Sequence, residues 1–292
     1  MSHRFRRTVT CFLLLLSFSL EGCLFTRQWI GDSAVGLFKG LAQSIGREQD
    51  ILLVRQSLPA YLLLLDSLIA SHPNNQELLL AAAQAYGAYA SSLEEEETER
   101  AALLLKRAKD YALKALELNP LFQGASTMAI PLFQERVQAA DKTLVPLLFN
   151  VANTWASWIA QGSDGPEGMA DLPRVESMMQ RVLELDPGYF YGGPHLFQAV
   201  LLSLRPPQYG GDLKKAEYHF QQALKYAQDK FLMTQVYYAQ YYARQRLDRD
   251  LFVNTLNRVL TLPADTEPDL TLFNTLAKAK AKKLLSQTEE LF

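Results

Sequence analysis

The stretches KRAKDYALKALELNP (106–120) and LPRVESMMQRVLELDP (172–187) end in nearly the same wording, and their shared pattern sets the fold. Ala108, Ala112 and Ala115 precede Pro120 in the first; Val175, Met179 and Val182 precede Pro187 in the second. Steps of four and then three residues place each trio on one face of a helix. The proline that follows stops the helix, because it lacks an N–H and disfavours helical geometry in the residue before it.

The same spacing recurs in both directions along the chain. Tyr61, Leu65 and Leu68 stand before Pro73, Ala216, Phe220 and Ala223 repeat the pattern without a proline, and Phe252, Leu256 and Val259 are a degenerate copy. This is the spacing of the second helix of a tetratricopeptide (TPR) unit, and Leu79, Ala82, Ala83 and Tyr86 follow the pattern of a first helix. Pro73, Pro120 and Pro187 lie further apart than the roughly 34 residues of a plain repeat, so loops such as GSDGPEG (162–168) interrupt the units. A helical hairpin of this kind buries its apolar stripe only by stacking on its neighbours, and stacking generates a concave inner surface. The expected fold class is therefore all-α, a TPR-like helical-hairpin solenoid with irregular insertions. Helices are expected near 48–71, 75–92, 94–118, 144–161, 171–185, 194–204, 212–227, 229–246, 248–261 and 268–290. Ser92 and Glu95 have the spacing of a capping box for the third of these, and the EEEE run (94–97) reads as its solvated start.

Composition agrees with this reading. The chain has 292 residues, 49% of them hydrophobic, which suffices for a sizeable core. The net charge is −2, so no basic field argues for nucleic acid. At the N-terminus, Arg4, Arg6 and Arg7 precede an apolar segment (9–20) too short to span a bilayer. Leu20, Glu21, Gly22 and Cys23 then resemble a bacterial lipobox, although Glu21 replaces the usual small residue. Residues 1–22 are thus expected to be a lipoprotein signal peptide, with Cys23 lipidated and residues 23–47 a linker to a helical domain over 48–292. An uncleaved anchor or an ordinary secretory signal is the alternative. Cleavage removes Cys11 and leaves Cys23 acylated, so no disulfide forms. Leu24 follows the cysteine with no aspartate, which leans toward outer-membrane anchoring on the periplasmic side.

Side-chain chemistry points to binding. His72, His195 and His219 show no metal-ligand spacing, and Walker, GxGxxG and GxSxG motifs are absent, so no metal, cofactor or catalytic set is expected. Trp155 and Trp158 share the apolar side of one helix, opposite a polar stripe of Asn150, Thr154, Ser157 and Gln161. Tyr237, Tyr238, Tyr241 and Tyr242 form two stripes; Tyr237, Tyr241 and Arg244 are expected on the concave side, a set suited to an organic acid or a partner's acidic side chains. The bland alternative for both aromatic sets is core packing. His195, after Gly192, Gly193 and Pro194 at a helix start, is a cap or packing residue or else a ligand contact.

DLPRVESMMQRVLELDP (171–187), GGPHLFQAVLLSLRPPQYGGDLKKAEYHFQQAL (192–224), FLMTQVYYAQYYARQRLDRDLF (231–252) and SLIASHPNNQELLLAAAQAYGAYA (67–90) carry a more specific signal. Together they resemble the T component associated with TRAP transporters, the TatT-type lipoproteins, from about residue 50 to the C-terminus. The resemblance implies an all-helical, TPR-like periplasmic lipoprotein that associates with the solute-binding protein of a tripartite ATP-independent periplasmic transport system. It also implies a small organic or hydrophobic cargo, and it transfers no ligand residues. Extended solenoid faces suit a homo-oligomer of no fixed number. A generic TPR scaffold for envelope assembly is the rival reading. Within RPPQYGGD (205–212), the prolines end one helix and Asp212 caps the next; Gly210 and Gly211 either serve that turn alone or, with Arg205 and Tyr209, hold an anion.

Overall fold

The structure, a computed structural model, describes residues 36, 38, 40–93, 97–162 and 165–292. Cys23 and the whole signal segment lie outside the described residues, as do Glu94, Glu95 and Glu96. The chain divides into two compact units, Met1–Ser44 and Ile45–Phe292. In the first, residues 40–44 are helical. All that follows concerns the second.

Helices account for the architecture, and there is no strand among the described residues. They run α1 (Ile51–Ser71), α2 (Gln76–Ser91), α3 (Thr98–Glu117), α4 (Ile130–Gln138), α5 (Val145–Gln161), α6 (Leu172–Leu185), α7 (Tyr189–Leu204), α8 (Leu213–Ala227), α9 (Met233–Tyr237), α10 (Arg249–Thr261) and α11 (Thr271–Ser286). Several starts are fixed by side-chain caps. Asp50, Asn75 and Asp248 each accept a hydrogen bond from the backbone N–H three residues on. Proline in the first turn opens α4, α5 and α6, where its missing N–H costs nothing.

The trios read from sequence are the packing surfaces. Ala108, Ala112, Ala115, Val175, Val182, Ala216, Phe220, Ala223, Phe252, Leu256 and Val259 have no exposed surface, and Met179 and Tyr61 are also buried. Leu68 remains half-exposed. Alanine on one helix and a large side chain on the next allow close approach without voids. Helices follow one another in contact: α1 on α2, α2 on α3, α3 on α5, α5 on α6, α6 on α7 and α7 on α8. The segment from Met233 to Ala243 then packs on α10, and α10 on α11. α11 also touches α1, and Arg47 pairs with Asp269 at 2.6 Å beside that seam, so the run of helices closes on itself. These pairs are compatible with a TPR-like solenoid.

α1 is long and apolar enough to cross a membrane by length and composition. Its inner side nevertheless belongs to the core, through Val54, Leu58, Tyr61, Leu62, Leu65 and Ile69. Its acidic residue is committed as well: Asp66 accepts hydrogen bonds from Tyr86 (2.7 Å), Tyr111 (2.6 Å) and Arg107 (2.7 Å), tying α1 to α2 and α3 at one point.

Four local expectations need correction. Ser92 does not cap the helix after it: it closes α2, donating to the Tyr89 carbonyl, and α3 begins from Glu97 without a side-chain cap. The loop read over 162–168 contains the start of a short helix, Gly165–Ala170. α4 was not expected at all; nine residues are too few for a periodic signal. The last helix breaks at Gln287 instead of running through.

The loop 205–212 is fully engaged by its own backbone. Pro207–Tyr209 makes a single 3-10 turn, and Gly210 closes it at φ 92°. The amides of Gly210 and Gly211 donate to the Pro207 and Pro206 carbonyls, and that of Asp212 to Leu202. Asp212 then caps α8 through the amides of Lys214 and Lys215. A Cβ on Gly211 would lie 1.8 Å from the Arg205 carbonyl oxygen, so only glycine fits there. Gly211→Ala is expected to destabilise the domain by roughly 2–4 kcal/mol, read as a lower urea midpoint at unchanged slope. An unchanged midpoint would show that this close approach is not required.

Candidate functional site

Asn274 sets the geometry of the most chemically suggestive region. It has no exposed surface, and its carboxamide is fully used. Oδ1 accepts from the Leu232 N–H (2.9 Å), while Nδ2 donates to the carbonyls of Lys230 (2.8 Å) and Ala264 (3.0 Å). The side chain thereby fixes the start of α9 against the first turn of α11. Two matched pairs follow in register: Phe231 meets Phe273 with centroids 6.2 Å apart, and further along both helices Lys280 Nζ lies 4.8 Å from the centre of the Tyr237 ring.

The Tyr189–Gly193 segment brings a third wall. Phe190, Tyr191 and Gly192 all adopt left-handed backbone, at φ 44°, 57° and 79°. For a non-glycine residue this costs roughly 1–2 kcal/mol. The strain turns the Phe190 ring into contact with Phe149 (5.6 Å), Tyr191 (5.9 Å), Phe231 (5.5 Å) and Phe273 (6.3 Å). Such contacts contribute about 0.5–1.5 kcal/mol each, enough to offset the backbone term. Phe190 and Phe273 still expose 38% and 42% of their surface. Large rings thus meet between α7, the 231–241 segment and α11, and those of Phe190 and Phe273 keep open edges.

Beyond these rings the helix is irregular. After α9 the backbone continues as a π-helix over Tyr238–Ala243, a widened turn often found at functional positions. Tyr238 and Tyr242 turn into the core, stacked on each other at 5.1 Å, with Phe220 5.3 Å and 6.1 Å from their rings. Tyr237 and Tyr241 lie on the other side, edge to face at 5.4 Å and only half-buried. Surrounding protein, with Tyr241 adding to it, pushes the Tyr237 hydroxyl up to about 12 even though the ring keeps some exposure. Burial, with Lys283 nearby, holds Lys280 below the usual lysine range.

The residues singled out from sequence are not gathered in one place. Tyr237 and Tyr241 lie together, whereas Arg244 is exposed and reaches Tyr241 only through its charge. Trp155 is buried against Phe133, its Nε1 without a partner among the described residues. Trp158 is buried beneath Lys109, whose Nζ sits 3.2 Å from the ring centre. Arg205 forms a forked pair with Glu176 that ties α7 to α6, and Tyr209 is 73% exposed. The opposing polar stripe bonds to neighbouring helices: Gln84 donates to Asn150 at 2.6 Å, and Gln161 to the Thr98 carbonyl.

His195 is a packing histidine with an unforeseen partner. Its Nδ1 lies 2.9 Å from Nδ1 of His219, so one neutral ring donates to the other, and it stacks on Tyr226. Burial, reinforced by His219, lowers His195 to about 4; burial lowers His219 as well.

Residues 47–292 match the family described as the TRAP transporter T-component. The chain belongs to that family. The TRAP T-component family is one of transport accessory proteins, and membership associates the chain with a TRAP transport system. A relative from Treponema pallidum (strain Nichols), described as an uncharacterized protein, is 25% identical over 272 residues, covering 84% of this chain and 81% of its own. The matched region contains both the strained Phe190 turn and the α9–α11 contact.

Phe190, Phe231, Phe273, Asn274 and Lys280 escaped sequence reasoning. Phe273 and Lys280 are seven residues apart, which is two turns on one helix face, but nothing in sequence pairs that face with Phe190.

Two outcomes follow. Asn274→Ala leaves buried amide and carbonyl groups unpaired, so a loss of about 2–4 kcal/mol in denaturant unfolding is expected; a loss below 1 kcal/mol would contradict the clamp. The histidine pair binds protons more weakly folded than unfolded, so unfolding takes protons up, and its contribution is lost as the pH falls from about 6.5 toward 4. Stability of the wild type should therefore drop by roughly 1–3 kcal/mol more than that of His195→Gln between about pH 7 and pH 4.5. Parallel pH curves would refute this.

Proposed function

We propose that this chain is a non-catalytic, lipid-anchored periplasmic accessory component that binds the solute-binding protein of its TRAP system and takes a small hydrophobic or organic-acid ligand at the aromatic edges of Phe190 and Phe273. The single observation that carries the reading is the family match over 47–292, which spans the whole helical domain. Two physical features support it. Aromatic rings with open edges stand on and beside the helix that also carries the part-buried Lys280, a composition suited to holding an amphipathic molecule. The lipobox-like LEGC (20–23) would tether the domain, on the outer membrane by the identity of Leu24, and raise its local concentration near the transport machinery.

Partner capture tests the proposal. Affinity-tagged full-length protein, cross-linked in cells and purified from detergent, is expected to bring down an extracytoplasmic solute-binding protein. Cys23→Ala should lose fatty-acid labelling and leave the membrane fraction. Recovery of envelope-assembly proteins alone would favour the scaffold reading and overturn this one.

A further inference from the structure

The outer face of α1 carries four leucines that the fold leaves in solvent. Leu52, Leu53, Leu63 and Leu64 are 60%, 53%, 70% and 55% exposed. At about 100° per residue they fall within one arc of about 120°, and Gln56, Ala60 and Ser67, exposed as well, lie between them. The two charged residues of α1 point elsewhere. Arg55 pairs with Glu97 at 2.9 Å and Asp66 with Arg107 at 2.7 Å, so both are turned toward α3 and its N-cap. A helix face turned to water normally carries charge, and this arc has none.

Its chemistry and its place in the chain narrow what covers it. The arc has no aromatic ring, methionine or arginine, the residues that protein interfaces concentrate at their centres. Its apolar side chains are aliphatic throughout, as hydrocarbon is. The helix is apolar enough to cross a bilayer, but its other side is built into the core through Leu58, Leu62, Leu65 and Ile69, so it can lie on a membrane and not span one. Fewer than thirty residues separate α1 from Cys23, and a flexible chain of that length averages roughly 30 Å end to end. A bilayer that holds Cys23 therefore lies within reach of this face.

We propose that α1 lies along the phospholipid surface that holds Cys23, with Leu52, Leu53, Leu63 and Leu64 set among the outer ends of the acyl chains. This rests on the lipid-anchor reading above and adds a second point of attachment to it. The lipid supplies most of the affinity, and the helix face, once tethered, pays little further entropy to dock. The consequence is orientation. A domain held by Cys23 alone swivels about its linker, whereas one that also rests on α1 keeps the same side turned to its partners.

The test uses the purified lipidated protein in phosphatidylcholine vesicles. Loss of Cys11 with the signal and acylation of Cys23 leave no free thiol, so Leu63→Cys can be labelled alone with an environment-sensitive fluorophore. Its emission should be shifted to the blue and should lose intensity when the lipids carry brominated chains. A label on Tyr209→Cys, comparably exposed in the loop before α8, should do neither. Adding Leu52→Gln, Leu53→Gln and Leu64→Gln to the labelled variant should abolish the quenching without changing acylation or circular dichroism. Quenching at both positions alike, or at neither, would overturn the docking and leave the lipid anchor standing. A disulfide between two unlabelled Leu63→Cys chains would assign the arc to a second copy and overturn it too. Labelling of the wild type would show Cys23 free, which would overturn the anchor and the docking together, with the TRAP association unaffected.

Discussion

Three hydrogen bonds from one fully buried carboxamide hold the inner site together. Asn274 joins the turn at Lys230–Leu232 and the loop at Ala264 to α11, satisfying the buried Leu232 amide and two part-buried carbonyls. A leucine of similar size would fill the space but strand those groups, at about 1–3 kcal/mol each. Because the two helices leave this point side by side, the pairing of Phe231 with Phe273 decides that of Tyr237 with Lys280.

Two further constraints turn that local tie into a site. The alanines at 108, 112, 115, 216 and 223 let neighbouring helices approach closely, and the last long helix comes back to the first. The left-handed turn at Phe190 then places a large ring where regular helix would not. Such strain persists only when surrounding packing over-determines it. Here the packing includes Phe149, whose ring occupies the space a Cβ on Gly193 would need, 2.6 Å away.

The sequence was most legible where period and size coincide. The trios ending at Ala115, Val182, Ala223 and Val259 are all buried, because alternation of small and large residues at helical spacing has one easy solution. The surroundings of the aromatic region were legible in part. Tyr237 and Tyr241 share a stripe in the structure as in the sequence, and Arg244 beyond the π-helix is exposed, with its charge felt at Tyr241. Phe190 lay hidden because a run of left-handed residues leaves no periodic trace. Lys280 carries no mark in the sequence, because its contact with Tyr237 depends on a tertiary neighbour that no local pattern names. The glycine pair in the 205–212 loop, left open in sequence between turn and anion site, serves the turn through its amides, and Arg205 pairs with Glu176.

On a chain that belongs to a transport accessory family, ligand binding is thus proposed at the open aromatic edges between α7 and α11. A direct view of an occupant tests this best. Crystals grown with 10-bromodecanoic acid should show a single anomalous bromine peak among Phe190, Phe231 and Phe273. Bromine elsewhere on the surface alone would contradict it.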